Sequence, residues 1–227
     1  MKKLFLVISA VVVTVIAIFL VVGREGNNSS VNSEPAGSES EQAQQYQSEL
    51  IIGSLDAPAT IIAYEDFKCP TCNQFHQNAE RQIREDYVNS GKLKIIFRPY
   101  PVYNEDAGEA LYGAYCANDQ GKFTAYHDEL FDFMWGKYYK SGNYSAALKN
   151  IFTKEVLAAE AVKVGIDREK FSACLAGDTH NSKFERALRQ AASDEIQGTP
   201  SFIINSQKIV GSQPYSVFKT LVDIQLR

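Results

Sequence analysis

Methionine and histidine are scarce in this 227-residue chain: Met1 and Met134 are the only methionines, and three histidines are scattered along it. That leaves no soft or imidazole-rich ligand set, which argues against a metal-delivery protein. Charge of one sign is also missing. The formal net charge is -4, and beyond residue 46 there are 20 basic against 23 acidic residues, so no basic footprint for nucleic acid exists. No internal repeat is visible. Between Leu4 and Val22 no charged residue occurs at all, and no cysteine lies near that run to carry a lipid anchor.

Lys2 and Lys3 precede this uncharged run, which is long enough to cross a bilayer. A cleaved signal peptide needs a short apolar stretch followed by small residues at a polar boundary. The nearest match, Val15-Ile16-Ala17, runs on into Ile18-Phe19-Leu20-Val21-Val22, so residues 1–24 are expected to form an uncleaved transmembrane signal-anchor. The basic residues in front outweigh Arg24 behind, which keeps the N-terminus cytoplasmic and places the rest on the outer face of the cell membrane, periplasmic or extracellular. Residues 25–47 are Ser, Asn, Glu and Gln with almost nothing apolar and are expected to be a flexible linker. The remainder has room for one domain with an appendage, and 45% hydrophobic residues suffice for its core.

The most informative residues of that remainder are Cys69-Pro70-Thr71-Cys72. Thr60 to Tyr64 in front is an apolar, β-branched run bounded by polar residues, as a buried strand is. Behind, Cys72, Phe75, Ala79, Ile83 and Tyr87 recur at spacings of three and four, which predicts a helix to about Asn89, stopped by Ser90-Gly91. A C-x-x-C between strand and helix is a reversible disulfide. Cys69 then sits at the helix mouth, where free N–H groups and the helix dipole favour its thiolate, with a pKa of roughly 3.5 to 7.5. It is expected to be the exposed nucleophile, helped by the charge of Lys68 and opposed by Glu65 and Asp66. Pro70 suits the first helical position, and Cys72, one turn on and beside Phe75, is the buried resolving thiol.

Other readings of the motif fare worse. A zinc site needs two further ligands at knuckle spacing, whereas Cys116 and Cys174 are isolated, so no metal is expected. A structural disulfide across two residues at a helix start would itself be strained and reducible. His76 is expected on the helix surface, with tuning of the cysteine pair as the alternative.

Downstream, Leu93 to Phe97 reads as a second strand, parallel to the first across a right-handed crossover. Residues 103 to 181 carry helical periodicity, with one stripe at Phe123, Tyr126, Leu130, Phe133 and Met134 and another at Leu157, Ala161 and Val164. The aromatics Trp135, Tyr138, Tyr139 and Tyr144 either rim a peptide groove or belong to the core. Residues 183–195 read as a helix, Ser201–Asn205 and Gln207–Val210 as a hairpin turning near Asn205-Ser206, and Tyr215–Leu226 as an amphipathic terminal helix. Thr199-Pro200 opens that hairpin, and a proline there deletes a ladder donor; a cis peptide and an ordinary trans proline at a strand edge both remain open.

The stretches Ala63 to Cys72, Cys116 to Phe123, Tyr126 to Phe131 and Gly198-Thr199-Pro200-Ser201-Phe202, in this order, resemble the thioredoxin superfamily. Within it they are similar to the DsbA-like thiol:disulfide oxidoreductases, over essentially all of residues 50 to 227. The resemblance implies an α/β thioredoxin fold, a mixed central sheet flanked by helices, with an inserted all-helical subdomain. The parts are then residues 48–102 (first half, with the cysteine pair), 103–181 (helical insertion) and 182–227 (second half). It further implies that Pro200 is cis against the sulfurs and that Thr199 pairs with an extended substrate chain. Some members carry a buried acid under the cysteines; the aligned position here is Ala63, so an acid at that position is excluded, and Glu65 and Asp66 lie nearer the motif. Cys116 and Cys174, left over in an oxidising compartment, are expected to form a structural disulfide, worth roughly 4 kcal/mol at most in the chain-entropy model.

The implied activity is an oxidase that introduces disulfides into unfolded, reduced exported proteins, without a cofactor. It would be reoxidised by a quinone-linked membrane protein of the DsbB or VKOR type. The alternatives are an isomerase or reductase of the same fold, or a non-enzymatic metal-delivery or chaperone module.

Overall fold

The computed structural model describes residues 49–227, so the expected anchor and linker lie outside it. Among the described residues no helix is long and apolar enough to cross a membrane. Five strands form one sheet: β1 (Leu50–Ile52), β2 (Ala59–Glu65), β3 (Leu93–Pro99), β4 (Ser201–Ile204) and β5 (Gln207–Val210), in the spatial order β1-β3-β2-β4-β5. β2 and β3 pair in parallel, Ile61 opposite Ile95 and Ala63 opposite Phe97, because a helix connects them. Every other pairing is antiparallel, so the sheet is mixed. The three-residue β1, which sequence periodicity does not reveal, caps the β3 edge. At the opposite end Asn205 and Ser206 both adopt left-handed φ (51° and 61°), the geometry a two-residue turn needs to join strands of right-handed twist.

The connection α1, residues 70–88, is not one regular helix. It is α-helical over Pro70–Phe75, widens into a π turn over His76–Glu80, regains α geometry at Arg81–Ile83 and widens again over Arg84–Val88. The α-helical spacing read from sequence places the apolar stripe correctly but not the side chains that the wide turns carry inward, His76 and Glu80. Phe75 packs at 4.4 Å and 5.1 Å, centroid to centroid, on Phe202 of β4 and Phe218 of α7 (Tyr215–Gln225), which fixes the front of α1 against the sheet. Burying each such ring contributes about 1.5–3 kcal/mol.

Between β3 and β4 run α2 (Glu105–Asn118), α3 (Phe123–Lys137), α4 (Lys154–Lys163), α5 (Arg168–Ala176) and α6 (Asn181–Ser193), with two 3₁₀ turns at Tyr139–Ser141 and Tyr144–Leu148. α2 and α3 approach closely at Gly113, where any Cβ would collide with the Tyr126 hydroxyl. Cys116 of α2 and Cys174 of α5 are joined by a disulfide, Cα to Cα 5.8 Å. The stripe Phe123, Tyr126, Leu130 and Met134 is buried against the sheet side of the molecule, where Phe67 stacks on Phe97 at 5.4 Å and meets Tyr126 and Phe131 edge-on.

Candidate active site

Cys69 occupies the N-cap of α1, and its Sγ accepts from the Cys72 backbone N–H at 3.4 Å. The turn leading to it is held from several sides. Asp66, wholly buried, accepts from Lys68 N–H at 2.8 Å and Val102 N–H at 2.9 Å, and Cys69 N–H donates to the Asp66 carbonyl at 3.0 Å. Asn73 Nδ2 reaches back to the carbonyls of Phe67 and Cys69. Pro70 stands at the first helical turn, where it lacks nothing the helix needs, and Thr71 follows it.

The Thr199-Pro200 peptide is cis and lies against the cysteines: Cys69 Sγ is 3.4 Å from the Thr199 carbonyl oxygen. Thr199 is more than a hundred residues away in sequence, and β4 brings it here by pairing Ser201 with Tyr64 of β2. Pro200 accepts from Gly211 N–H at 2.8 Å, and the Ser201 hydroxyl donates to the Gly198 carbonyl, so the loop is closed on itself.

The two sulfurs differ in charge preference. The Cys72 thiol donating to it, against the opposing cost of burial, lowers Cys69 from an ordinary 9.0 to about 6; the Thr199 hydroxyl and the N–H groups of Cys72 and Thr71 add to this. Thr199 Oγ1 is buried beside the Cys69 sulfur without a hydrogen-bond partner among the described residues. Burial, the Cys69 sulfur and the Glu65 charge push Cys72 the other way, well above the ordinary thiol range. At neutral pH the reduced pair is therefore one thiolate, on Cys69, and one thiol, on Cys72.

Three expectations need correction. Cys69 is not openly exposed: it is 3% accessible, because the cis-proline loop covers it, although Cys72 is more enclosed still at 0%. Lys68 does not lend its charge to Cys69. Its side chain turns into the helical region, where Nζ lies 2.6 Å from Asp106 Oδ1 and 2.7 Å from the Lys149 carbonyl, and its charge is spent there. His76 is buried rather than on the surface. Of the two readings open for the aromatics of the helical region, core and groove rim, Tyr139 takes the core, buried with its hydroxyl donating to the Lys68 carbonyl; Tyr144 stacks on it and is exposed, while Trp135 and Tyr138 are partly buried.

Sequence reasoning looked for a buried acid at Ala63. The structure supplies one two residues on, along the same face of β2: Glu65 is 1% accessible, its Oε2 has no hydrogen-bond partner, and burial together with the nearby Glu80 charge raises its pKa well above the carboxylate range. Asp66, beside it, is raised to about 6 by burial in spite of its backbone donors.

A model of the family described as thioredoxin matches residues 45–224. A probable disulfide bond formation protein D of Bacillus anthracis is 25% identical over 190 residues, 80% of this chain and 80% of that protein. The disulfide bond formation protein D of Bacillus subtilis is 22% identical over 207 residues, 89% and 84% of the two chains. Among solved structures, oxidised BdbD from Bacillus subtilis superposes with a TM-score of 0.69 at 21% identity, over 79% of this chain and 94% of that one. Wolbachia pipientis α-DsbA1 gives 0.64 at 19% identity, over 78% and 90%.

Proposed function

This chain belongs to the thioredoxin family and is a DsbA-like thiol:disulfide oxidoreductase, and from that premise we propose that it works as an oxidase, donating the Cys69–Cys72 disulfide to reduced, unfolded exported proteins. The observation that carries this reading is the asymmetry of the two sulfurs. A Cys69 thiolate held at the helix N-cap stabilises the reduced pair, so the disulfide is readily given up.

A substrate thiolate attacks Cys69 Sγ, the Cys69–Cys72 bond breaks, and a mixed disulfide joins substrate to Cys69. The substrate's second thiol, as thiolate, then displaces Cys69 and leaves with the new disulfide. The cis-proline loop at Thr199 and Pro200 offers an extended chain its backbone beside the sulfurs. Exposed apolar side chains on segments bonded to the active-site turn supply an undemanding surface for an unfolded chain: Val102, whose N–H meets Asp66, Leu148, next to Lys149 whose carbonyl accepts from Lys68, and Tyr144, stacked on Tyr139. The catalytic domain is held on the outer face of the membrane by residues 1–24 and the tether 25–47. A quinone-linked membrane protein of the DsbB or VKOR type returns the cysteines to the disulfide.

The test is capture. Cys72→Ser in the native compartment should accumulate mixed disulfides through Cys69, and Cys69→Ser should accumulate none. Capture by Cys69→Ser but not by Cys72→Ser would reverse the roles.

A further inference from the structure

On the reading above, the Thr199-Pro200 loop covers Cys69 and offers backbone to a substrate chain, so its distance from the sulfur matters. Five residues earlier the chain leaves α6 by a turn that its sequence does not favour. Asp194 caps the helix, Ile196 N–H donates to the Ala191 carbonyl at 2.8 Å and Glu195 N–H to the Ala192 carbonyl at 3.1 Å, the paired bonds of a helix ending whose outer position usually holds glycine. Here Glu195 holds it, at a left-handed φ of 52°. A residue with a side chain is strained in that conformation and persists where its surroundings dictate it.

Those surroundings are a polar cluster that the chemistry at the sulfurs does not use. The Asp194 carboxylate accepts from the Tyr64 hydroxyl at 2.5 Å and from Arg98 Nη1 at 3.3 Å, and the same Nη1 donates to the Tyr64 oxygen at 2.8 Å, which closes a triangle of hydrogen bonds. Arg98 Nη2 faces Glu49, just ahead of β1, at 3.7 Å. Tyr64 is wholly buried and Arg98 nearly so, which takes a phenol and a guanidinium out of water at a place where neither makes or breaks a bond. Burial, and the carboxylate it donates to, push the Tyr64 hydroxyl up and keep it a donor at every working pH. A second phenol, Tyr100, donates to the Ile196 carbonyl at 3.1 Å, and Lys208 Nζ on β5 donates to the Glu195 carbonyl at 3.1 Å. Ile196 itself packs with Tyr64 and Ala191 in a small core apart from the main one.

The same strand ends carry the opposite wall of the site. Tyr64 and Arg98 are register partners near the ends of β2 and β3, and Tyr100 follows, its N–H donating to the Glu65 carbonyl at 3.1 Å. Asp66, the next residue, holds the turn to Cys69 by accepting from the Lys68 and Val102 N–H groups. Both walls therefore hang from one pair of strand ends. Building on the exchange mechanism above, we propose that Tyr64, Arg98 and Asp194 are positioning residues for it: they tie the root of the cis-proline loop to the strands that carry Cys69 and so set the gap that a substrate chain must fit. Releasing the root loosens that gap. A peptide thiol whose chain lies along Thr199 loses more by this than a small thiol that needs only the sulfur.

The experiment uses the oxidised full chain and two reductants, a reduced two-cysteine peptide and reduced glutathione, with opening of the Cys69–Cys72 disulfide followed by thiol alkylation and mass spectrometry. Asp194→Ala, at a partly exposed helix end, should slow reduction by the peptide about tenfold, the worth of about one hydrogen bond along the loop, and change reduction by glutathione less than about twofold. Equal slowing with both reductants would overturn the proposal and mark a general loss of structure. No slowing with either would also overturn it, because the loop would then hold its place without the cluster. If Asp194→Ala does not fold, Tyr64→Phe keeps the buried ring and removes only the hydroxyl; it should slow the peptide selectively, and a variant without that selectivity would be equally fatal. Failure of both reductants to open the disulfide of the wild type would instead refute the exchange mechanism itself.

Discussion

The Cys69 thiolate should stabilise the reduced protein by an amount that grows with pH over a defined window. The thiol titrates at an ordinary 9.0 in the unfolded chain and at about 6 in the folded one. A depressed pKa contributes stability that is fully present above the unfolded value and is lost as pH falls through the folded value. The contribution is thus near zero below about pH 5, about 1.4 kcal/mol at pH 7 and approaches about 4 kcal/mol at pH 9. Above pH 9 the raised Cys72 works in the opposite direction, because the unfolded chain ionises that thiol and the folded one resists. The assay is urea unfolding of the reduced chain from pH 5 to 9, against Cys69→Ser handled identically. Their stability difference should widen by about 1.4 kcal/mol from pH 5 to 7 and by a further 2 kcal/mol or so to pH 9. A difference that stays flat, or that narrows with rising pH, would refute the claim that the helix N-cap and Cys72 stabilise a thiolate at Cys69.

Two further outcomes are expected. Asp106→Ala removes the carboxylate paired with the wholly buried Lys68 and also leaves the N–H groups of Ile151 and Phe152 without their acceptor, so chemical denaturation should register a loss of about 3–5 kcal/mol; a loss under about 1 kcal/mol would mean that Lys68 finds water. Replacing Cys116 and Cys174 together by Ser should cost up to about 4 kcal/mol in thermal or urea unfolding while exchange at Cys69 persists, and loss of glutathione capture in a folded double variant would show that the helical region shapes the site more than a clamp does.

How much of this was legible beforehand follows from the range over which each signal acts. The strands around Ile61 and Ile95, the hairpin at Asn205-Ser206 and the helical stretch after β3 show in local periodicity and turn chemistry, which the surrounding fold reinforces. β1 is three residues long, too short for any alternation to register. The π turns leave the composition of α1 unchanged, so His76 reads as a surface residue although the wider turn faces it, with Glu80, inward. Lys68 differs for another reason: sequence places it beside Cys69, but its partner Asp106 lies 38 residues on, and proximity along the chain says nothing about where a long side chain points. Likewise the search for an acid at Ala63 relied on one aligned position, whereas the period of two along β2 offers Glu65 on the same face.

The direction of catalysis rests on the reduction potential of the Cys69–Cys72 pair, and equilibrating the protein against glutathione redox buffers, with the two cysteine states resolved by thiol alkylation, measures it directly. A thiolate stabilised as the N-cap geometry of Cys69 describes predicts a value toward the oxidising end, about -120 mV, and a value near about -270 mV would contradict the oxidase and mark a reductase.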